Sequence, residues 1–184
     1  MKSTKQIHQR VIDACRNNDA KAQMQLYDLY CDAMFTVALR YVKDSFTAED
    51  VVQDAFIKAF KNIHSYKEEV TFGAWLKRIV INQSIDYLKK KKLELVSINE
   101  ETTTLVDDDN DNWNVASTIS YQDIVNCIQQ LKEKYRIVLT LFLLEGYDHG
   151  EISQILGISE VSSRTHLLRG KKKVQEQLKA VHHV

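Results

Sequence analysis

Residues 148–174 read DHGEISQILGISEVSSRTHLLRGKKKV. Asp148 and Glu151 stand three apart, the D-x-x-E arrangement that caps a helix start, and Ile152, Ile155 and Leu156 follow as one apolar face. Gly157 then permits a tight turn in which a side chain is expected to clash, and Ser159 caps a second helix. Two short helices set by one glycine, the second polar and basic, follow the grammar of a helix-turn-helix, which places its second helix in the DNA major groove. Ser162, Ser163, Arg164, His166, Arg169, Lys171 and Lys172 are the candidates to meet bases or phosphates, while Val161, Leu167, Leu168 and Val174 include the packing positions.

Upstream of this motif, Ile124, Cys127, Ile128 and Leu131 mark one helix and Val138, Leu139 and Phe142 a second, which Gly146 is expected to end. Residues 120–184 thus form a four-helix set. Residues 1–92 give four more helices. Ile7, Val11 and Cys15 lie on the first, which Asn17-Asn18-Asp19 interrupts, and Tyr27, Tyr30, Met34, Val37, Ala38 and Tyr41 stripe a longer second one ending near Lys43. Thr47 and Asp50 resemble a capping box for the third, whose apolar face is Val51, Val52, Ala55, Phe56, Ala59, Phe60 and Ile63 and whose opposite face carries Asp50, Gln53 and Asp54. After a polar loop, His64 to Thr71, a fourth helix runs from Phe72 through Trp75, Leu76, Ile79 and Val80 to Lys92.

Composition agrees with an all-α fold of two small helical domains. The 184 residues include no proline and only five glycines, too little punctuation for the turns of a β-sandwich but well suited to long helices. Net charge is zero, yet residues 1–92 carry +5, residues 93–119 carry −7 and residues 120–184 carry +2. Two mildly basic modules joined by an acidic linker are the pattern of a polyanion-binding protein whose linker is not itself a DNA ligand.

Other chemistry finds little support. Cys15, Cys31 and Cys127 form no disulfide framework or zinc motif, so a reducing cytoplasm is expected; no signal peptide or membrane span is legible. Asp107, Asp109 and Asp111 mimic the start of a calcium loop, but Asn112 replaces its glycine and Thr118 its bidentate glutamate. His182-His183 lie at a terminus expected to fray. No Walker loop, GxSxG, HExxH or dinucleotide fingerprint is present, and neither catalysis, a cofactor nor a resident metal is expected.

Lysines 89 to 92, with Lys77 and Arg78 upstream and Tyr66, Phe72, Trp75 and Tyr87 nearby, combine cations with aromatics as single-stranded nucleic acid requires. Phe72 and Trp75 are assigned mainly to packing. Taken in order, the segments TAEDVVQDAFIKAFKNI (47–63), TFGAWLKRIVINQSIDYLKKKK (71–92) and the helix-turn-helix resemble bacterial RNA polymerase sigma factors of the extracytoplasmic-function group. The resemblance implies that Asp50, Gln53, Asp54 and Phe56 bind core polymerase. It implies that the loop with His64, Ser65, Tyr66 and Lys67, together with Asn82, captures a flipped nontemplate base of the −10 element, beside Asp86, while Lys77, Arg78, Lys89 and Lys90 hold the backbone. By the same resemblance the C-terminal helix-turn-helix corresponds to the domain that reads the −35 element, where Val161 replaces a frequent glycine and Ser163 a frequent valine. An anti-sigma factor is the implied further partner. A helix-turn-helix regulator with an N-terminal dimerisation domain, which binds duplex DNA unaided, and a helical enzyme or adaptor are the alternatives left open by the residues themselves.

Overall fold

The computed structural model describes residues 7–95 and 119–182, and the chain divides between Ser97 and Ile98 into two compact units. The acidic stretch beyond Leu95, with its aspartate triad, and His183 lie outside the described residues. Among the described residues every regular element is helical, and no helix is long and apolar enough to cross a membrane.

The first unit contains α1 (Gln9–Arg16), α2 (Ala20–Val42), α3 (Ser45–Lys61) and α4 (Phe72–Leu95), with a 3-10 turn at Ile63–Ser65. Helices α2, α3 and α4 pack on one another, and α1 lies against α2. Leu26, Met34, Val37, Ala38 and Tyr41 of α2 meet Val51, Val52, Ala55, Phe56 and Ala59 of α3 and Leu76, Val80, Ile81 and Ile85 of α4 in one buried core. Asp19 caps α2 by accepting the N–H groups of Lys21 and Ala22 at 2.8 and 3.2 Å. The cap of α3 differs from the sequence expectation. Asp44 accepts both the Thr47 N–H (2.8 Å) and hydroxyl (2.6 Å), so the helix begins at Ser45 and Asp50 sits well inside it, exposed. Lys43 supplies the bend between the helices at φ +63°. Helix α4 runs three residues past its expected end at Lys92.

The second unit contains α5 (Tyr121–Gln130), α6 (Glu133–Leu139, continued by a π-helical turn at Thr140–Leu144), α7 (His149–Leu156) and α8 (Glu160–His182). Ser120 and Asp123 form a capping box at α5, and Asp148 and Glu151 form the expected one at α7, exchanging bonds of 2.8 and 3.1 Å. Ser159 accepts the Ser162 N–H at 3.1 Å, as expected of the cap of α8. Gly157 is required for a reason other than a clash: a Cβ there meets nothing within 4 Å, but its φ of +71° is the left-handed conformation that closes α7, with the Gly157 N–H donating to Ser153 O at 2.8 Å.

Helix α8 is the spine of this unit, contacting α5, α6 and α7. Ser163, Leu167, Gly170, Val174 and Leu178 lie on its buried side at helical spacing. At Gly170 a Cβ collides with Cδ1 of Leu139, itself fully buried, so the close approach of α6 to α8 depends on a missing side chain. Near the start of α8, the Ser163 hydroxyl is 2.8 Å from Nδ1 of His149, whose ring stacks on Phe142 at 4.8 Å between centroids. His166 turns inward, edge-on to Tyr135 at 5.8 Å. Burial, reinforced by Arg164 beside His149 and by Lys134 and Arg169 beside His166, holds both imidazoles below their ordinary pKa.

Two predictions follow from this packing. Gly170→Ala improves helix propensity by up to about 1 kcal/mol but overpacks a filled site, which typically costs about 1–3 kcal/mol; net destabilisation of the C-terminal unit in urea titrations is expected. Because the folded histidines bind protons less readily than the unfolded chain, their stabilisation is complete above pH 6.5 and is lost as pH falls below it toward the lower folded values. Hydrogen-exchange protection of α7 and α8, corrected for intrinsic rates, is therefore expected to drop from about pH 7.5 to about pH 5.5 more than that of α2 to α4.

Candidate nucleic-acid interface

The exposed side of α8 carries Val161, Arg164, Leu168, Lys171 and Lys172, spaced by three and four residues so that they share one face. Leu168 and Lys171 are half-buried; the other three are exposed. Arg164 pairs with Glu160 at 3.3 Å across one turn, both side chains more than half exposed. Such a pair contributes little stability and can be exchanged for a DNA contact at small cost. Val161, expected to pack, is instead 49% exposed at the head of this face, a position legible from its spacing to Arg164 and Leu168.

Four sequence candidates on α8 lie off that face. Ser163 is fully buried and engaged with His149, so its hydroxyl ties α8 to α7 instead of meeting DNA. His166 is committed to the Tyr135 side, its Nδ1 buried. Ser162 is half-buried and shares its hydroxyl with Ser159 at 2.9 Å, inside the cap. Arg169 is half-buried, about a quarter-turn from the exposed face.

In the first unit, Arg78, Asn82, Asp86 and Lys89 follow one another at steps of four, four and three along α4 and are all exposed, with Lys90 exposed beside them and Lys77 half-buried. Trp75, one turn before Arg78, is half-buried. Its ring lies 5.3 Å from that of Tyr66 and 5.6 Å from that of Phe72, and Tyr66 and Phe72 meet edge-on at 5.6 Å. The cluster fastens the loop preceding α4 onto the first turn of that helix. His64, Ser65 and Lys67 are exposed in this loop, but Tyr66 is only 3% exposed and its hydroxyl donates to Val70 O at 2.8 Å. Burial, with Glu68 adding to it, pushes the phenol up to about 12. Tyr66 is thus the pin of the loop, not a platform for a base, and Phe72 packs as expected.

Helix α3 presents a third face. Asp50, Gln53 and Asp54 are exposed, whereas Phe56 is 2% exposed and packs its ring on Tyr27 at 4.8 Å and Phe60 at 5.8 Å, which corrects its assignment as a partner contact. Sequence reasoning passed over Phe46 and Ile57, exposed at both ends of the row Phe46–Asp50–Gln53–Ile57; the spacing of four, three and four was the available signal. Among the described residues no three His, Cys, Asp or Glu side chains converge as a metal cluster.

These faces fall within segments that other proteins share. Residues 26–94 match the Sigma-70 region 2 family and residues 121–174 match Sigma-70 region 4. The chain is 31% identical to the ECF RNA polymerase sigma factor SigW of Bacillus subtilis, over 91% of this chain and 95% of that protein, and 28% identical to SigM of the same organism, over 82% and 91%. Its fold is similar to that of the sigma factor RpoE of Bartonella quintana, solved in complex with the anti-sigma factor NepR, with a TM-score of 0.51 at 22% identity over 85% of this chain and 96% of that one. With both sigma regions in order along one chain and a relative matched almost end to end, the protein belongs to the extracytoplasmic-function sigma factors of bacterial RNA polymerase.

Proposed function

We propose that the three exposed faces divide the work of promoter-directed transcription initiation among them. Residues 1–92 form the unit that binds core RNA polymerase and opens the −10 element, residues 120–184 form the unit that reads the −35 element, and the −7 segment at 93–119 joins them. The observation that carries this reading is the division of each helix into a buried and an exposed side. On α3, α4 and α8 the side left over from core packing holds Asp50, Gln53 and Asp54, then Arg78, Asn82 and Lys89, then Arg164 and Lys172, polar residues among those the sigma factor resemblance names.

On α3, Asp50, Gln53 and Asp54 dock on the polymerase. Their charge suits a basic partner surface, and Phe46 and Ile57 supply apolar area at the rim. On α4, Arg78, Asn82 and Lys89, with Lys77 and Lys90 alongside, follow the nontemplate strand, and the loop with His64, Ser65 and Lys67 takes the flipped base. On α8, Arg164 and Val161 reach base edges, the first for a guanine and the second for a thymine methyl, while Lys171 and Lys172, about two turns on, meet phosphates. The chain acts in the cytoplasm, where the polymerase and promoter are. An anti-sigma factor is its regulator, a reading supported by the complex with an anti-sigma factor in which the similar fold of the Bartonella quintana protein was solved.

Two experiments test the assignment. Asp50→Ala with Gln53→Ala changes only the exposed side of α3, so stability is expected to stay within about 0.5 kcal/mol per site while pull-down with core polymerase falls; unchanged pull-down sinks the docking face. Arg164→Ala is expected to relax base preference at one or two −35 positions by about 1–3 kcal/mol in holoenzyme transcription from single-base promoter variants. Lys171→Ala and Lys172→Ala are expected to weaken all promoters alike and to lower the salt slope by roughly one per lost contact. An unchanged promoter ranking for Arg164→Ala removes it from the base-reading role.

A further inference from the structure

The loop between α3 and α4 is held from outside by the first helix. Arg16, the last residue of α1, donates from Nη2 to the carbonyl oxygen of Tyr66 at 2.9 Å and from Nη1 to Oε1 of Glu68 at 2.9 Å. The same Nη1 reaches Oδ1 of Asp13 at 2.8 Å, and the guanidinium carbon lies 5.9 Å from the centre of the Tyr66 ring. Gln9, one turn before Asp13, donates to the same Glu68 oxygen at 2.9 Å and to Asp13 at 3.0 Å. The bonds join residues about fifty apart in sequence, and the Arg16 and Glu68 side chains are 24% and 28% exposed, so the pair is shielded where an ordinary surface ion pair is not.

Two features set this clamp apart from an ordinary surface contact. Glu68 has φ +61°, a left-handed conformation uncommon for a non-glycine residue. The guanidinium fork binds a backbone carbonyl and a carboxylate at once, fixing both position and direction, which a lysine at the same place cannot do. Glu68 directly follows Lys67, and the two donors from α1 hold its carboxylate to that helix. Arg16 also lies outside the part of the chain that matches Sigma-70 region 2, which begins at residue 26.

We propose that Arg16, acting through Glu68 and the Tyr66 carbonyl, is a positioning residue for −10 recognition: it sets the conformation in which His64, Ser65 and Lys67 are presented to the flipped base. The inference rests on the assignment of this loop to the −10 element. Its physical content is preorganisation. A loop held in one conformation by α1 and by the aromatic pin selects a base by fixed geometry, whereas a released loop accommodates several.

The test is holoenzyme open-complex formation on a promoter and its single-base −10 variants, with core affinity and −35 ranking measured in parallel as readouts of intact folding. Arg16→Ala is expected to reduce opening of the preferred promoter about tenfold and to compress the ranking of −10 variants, leaving core affinity and −35 ranking unchanged. Arg16→Lys keeps the charge but not the fork and is expected to recover only a small part of the discrimination; Glu68→Gln, nearly isosteric, gives a second route to the same compression should Arg16→Ala fold poorly. His64→Ala with Lys67→Ala tests the loop itself. If that double variant alters the −10 ranking while Arg16→Ala and Glu68→Gln leave it intact, the positioning role is wrong; if the loop variant also leaves the ranking intact, the loop assignment and the positioning role fall together. A uniform loss on every −10 variant with the ranking preserved marks Arg16 as structural only.

Discussion

Half-burial of long helices is the constraint on which both units depend. With no proline and five glycines, the chain has few means of building shaped loops, and its surfaces for partners are the outer sides of helices whose inner sides make the core. Helix α4 shows this plainly: Leu76, Val80, Ile81 and Ile85 are buried, and Arg78, Asn82, Asp86 and Lys89 are left outside by the same 3.6-residue period. Helix α8 repeats the arrangement, with Leu167, Val174 and Leu178 inside and Arg164 and Lys172 outside. Apolar contacts therefore orient the polar residues, and a change in core packing rotates or shifts the recognition face without touching it.

Places where helices must approach closely or turn sharply are handled by single residues of different kinds. Gly170 contributes by lacking a side chain against Leu139, Gly157 by tolerating a positive φ, and Asp44, Asp19, Ser120 and Asp148 by satisfying the free N–H groups at helix starts. The loop before α4 has no glycine and uses another solution. Tyr66 is sunk between Phe72 and Trp75, and Arg16 secures the backbone next to it. Rigidity there comes from tertiary contacts, which suits the base-capturing role proposed for this loop.

The helix-turn-helix shows a comparable tie. His149 and Ser163 link the first turns of α7 and α8, and the stacking of His149 on Phe142 links both to the segment that follows α6. The angle between the two helices is thus held by a hydrogen bond as well as by apolar packing. Ser163 stands where the resemblance leads one to expect valine, and its hydroxyl has a partner because His149 is present across the turn.

Hydrophobic period and cap chemistry are local properties, and they determined the eight helices of the described residues, the helix-turn-helix and the acidic row on α3 from the sequence alone. Period does not say on which side of its border a residue falls. Ser163 and His166 read as polar members of a basic helix, yet packing turned them inward, and Val161 read as core but is 49% exposed. Tyr66 and Phe56 were named as contacts from the motifs they belong to, and the aromatic neighbours that bury them come from other elements or lie further along the chain. The start of α3 moved to Asp44 because two aspartates lay within reach of Thr47 and only the folded backbone chose between them. The bond from Arg16 to Tyr66 had no sequence signal at all, since fifty residues separate partners that only the packing of α1 against the α3–α4 connection brings within 2.9 Å.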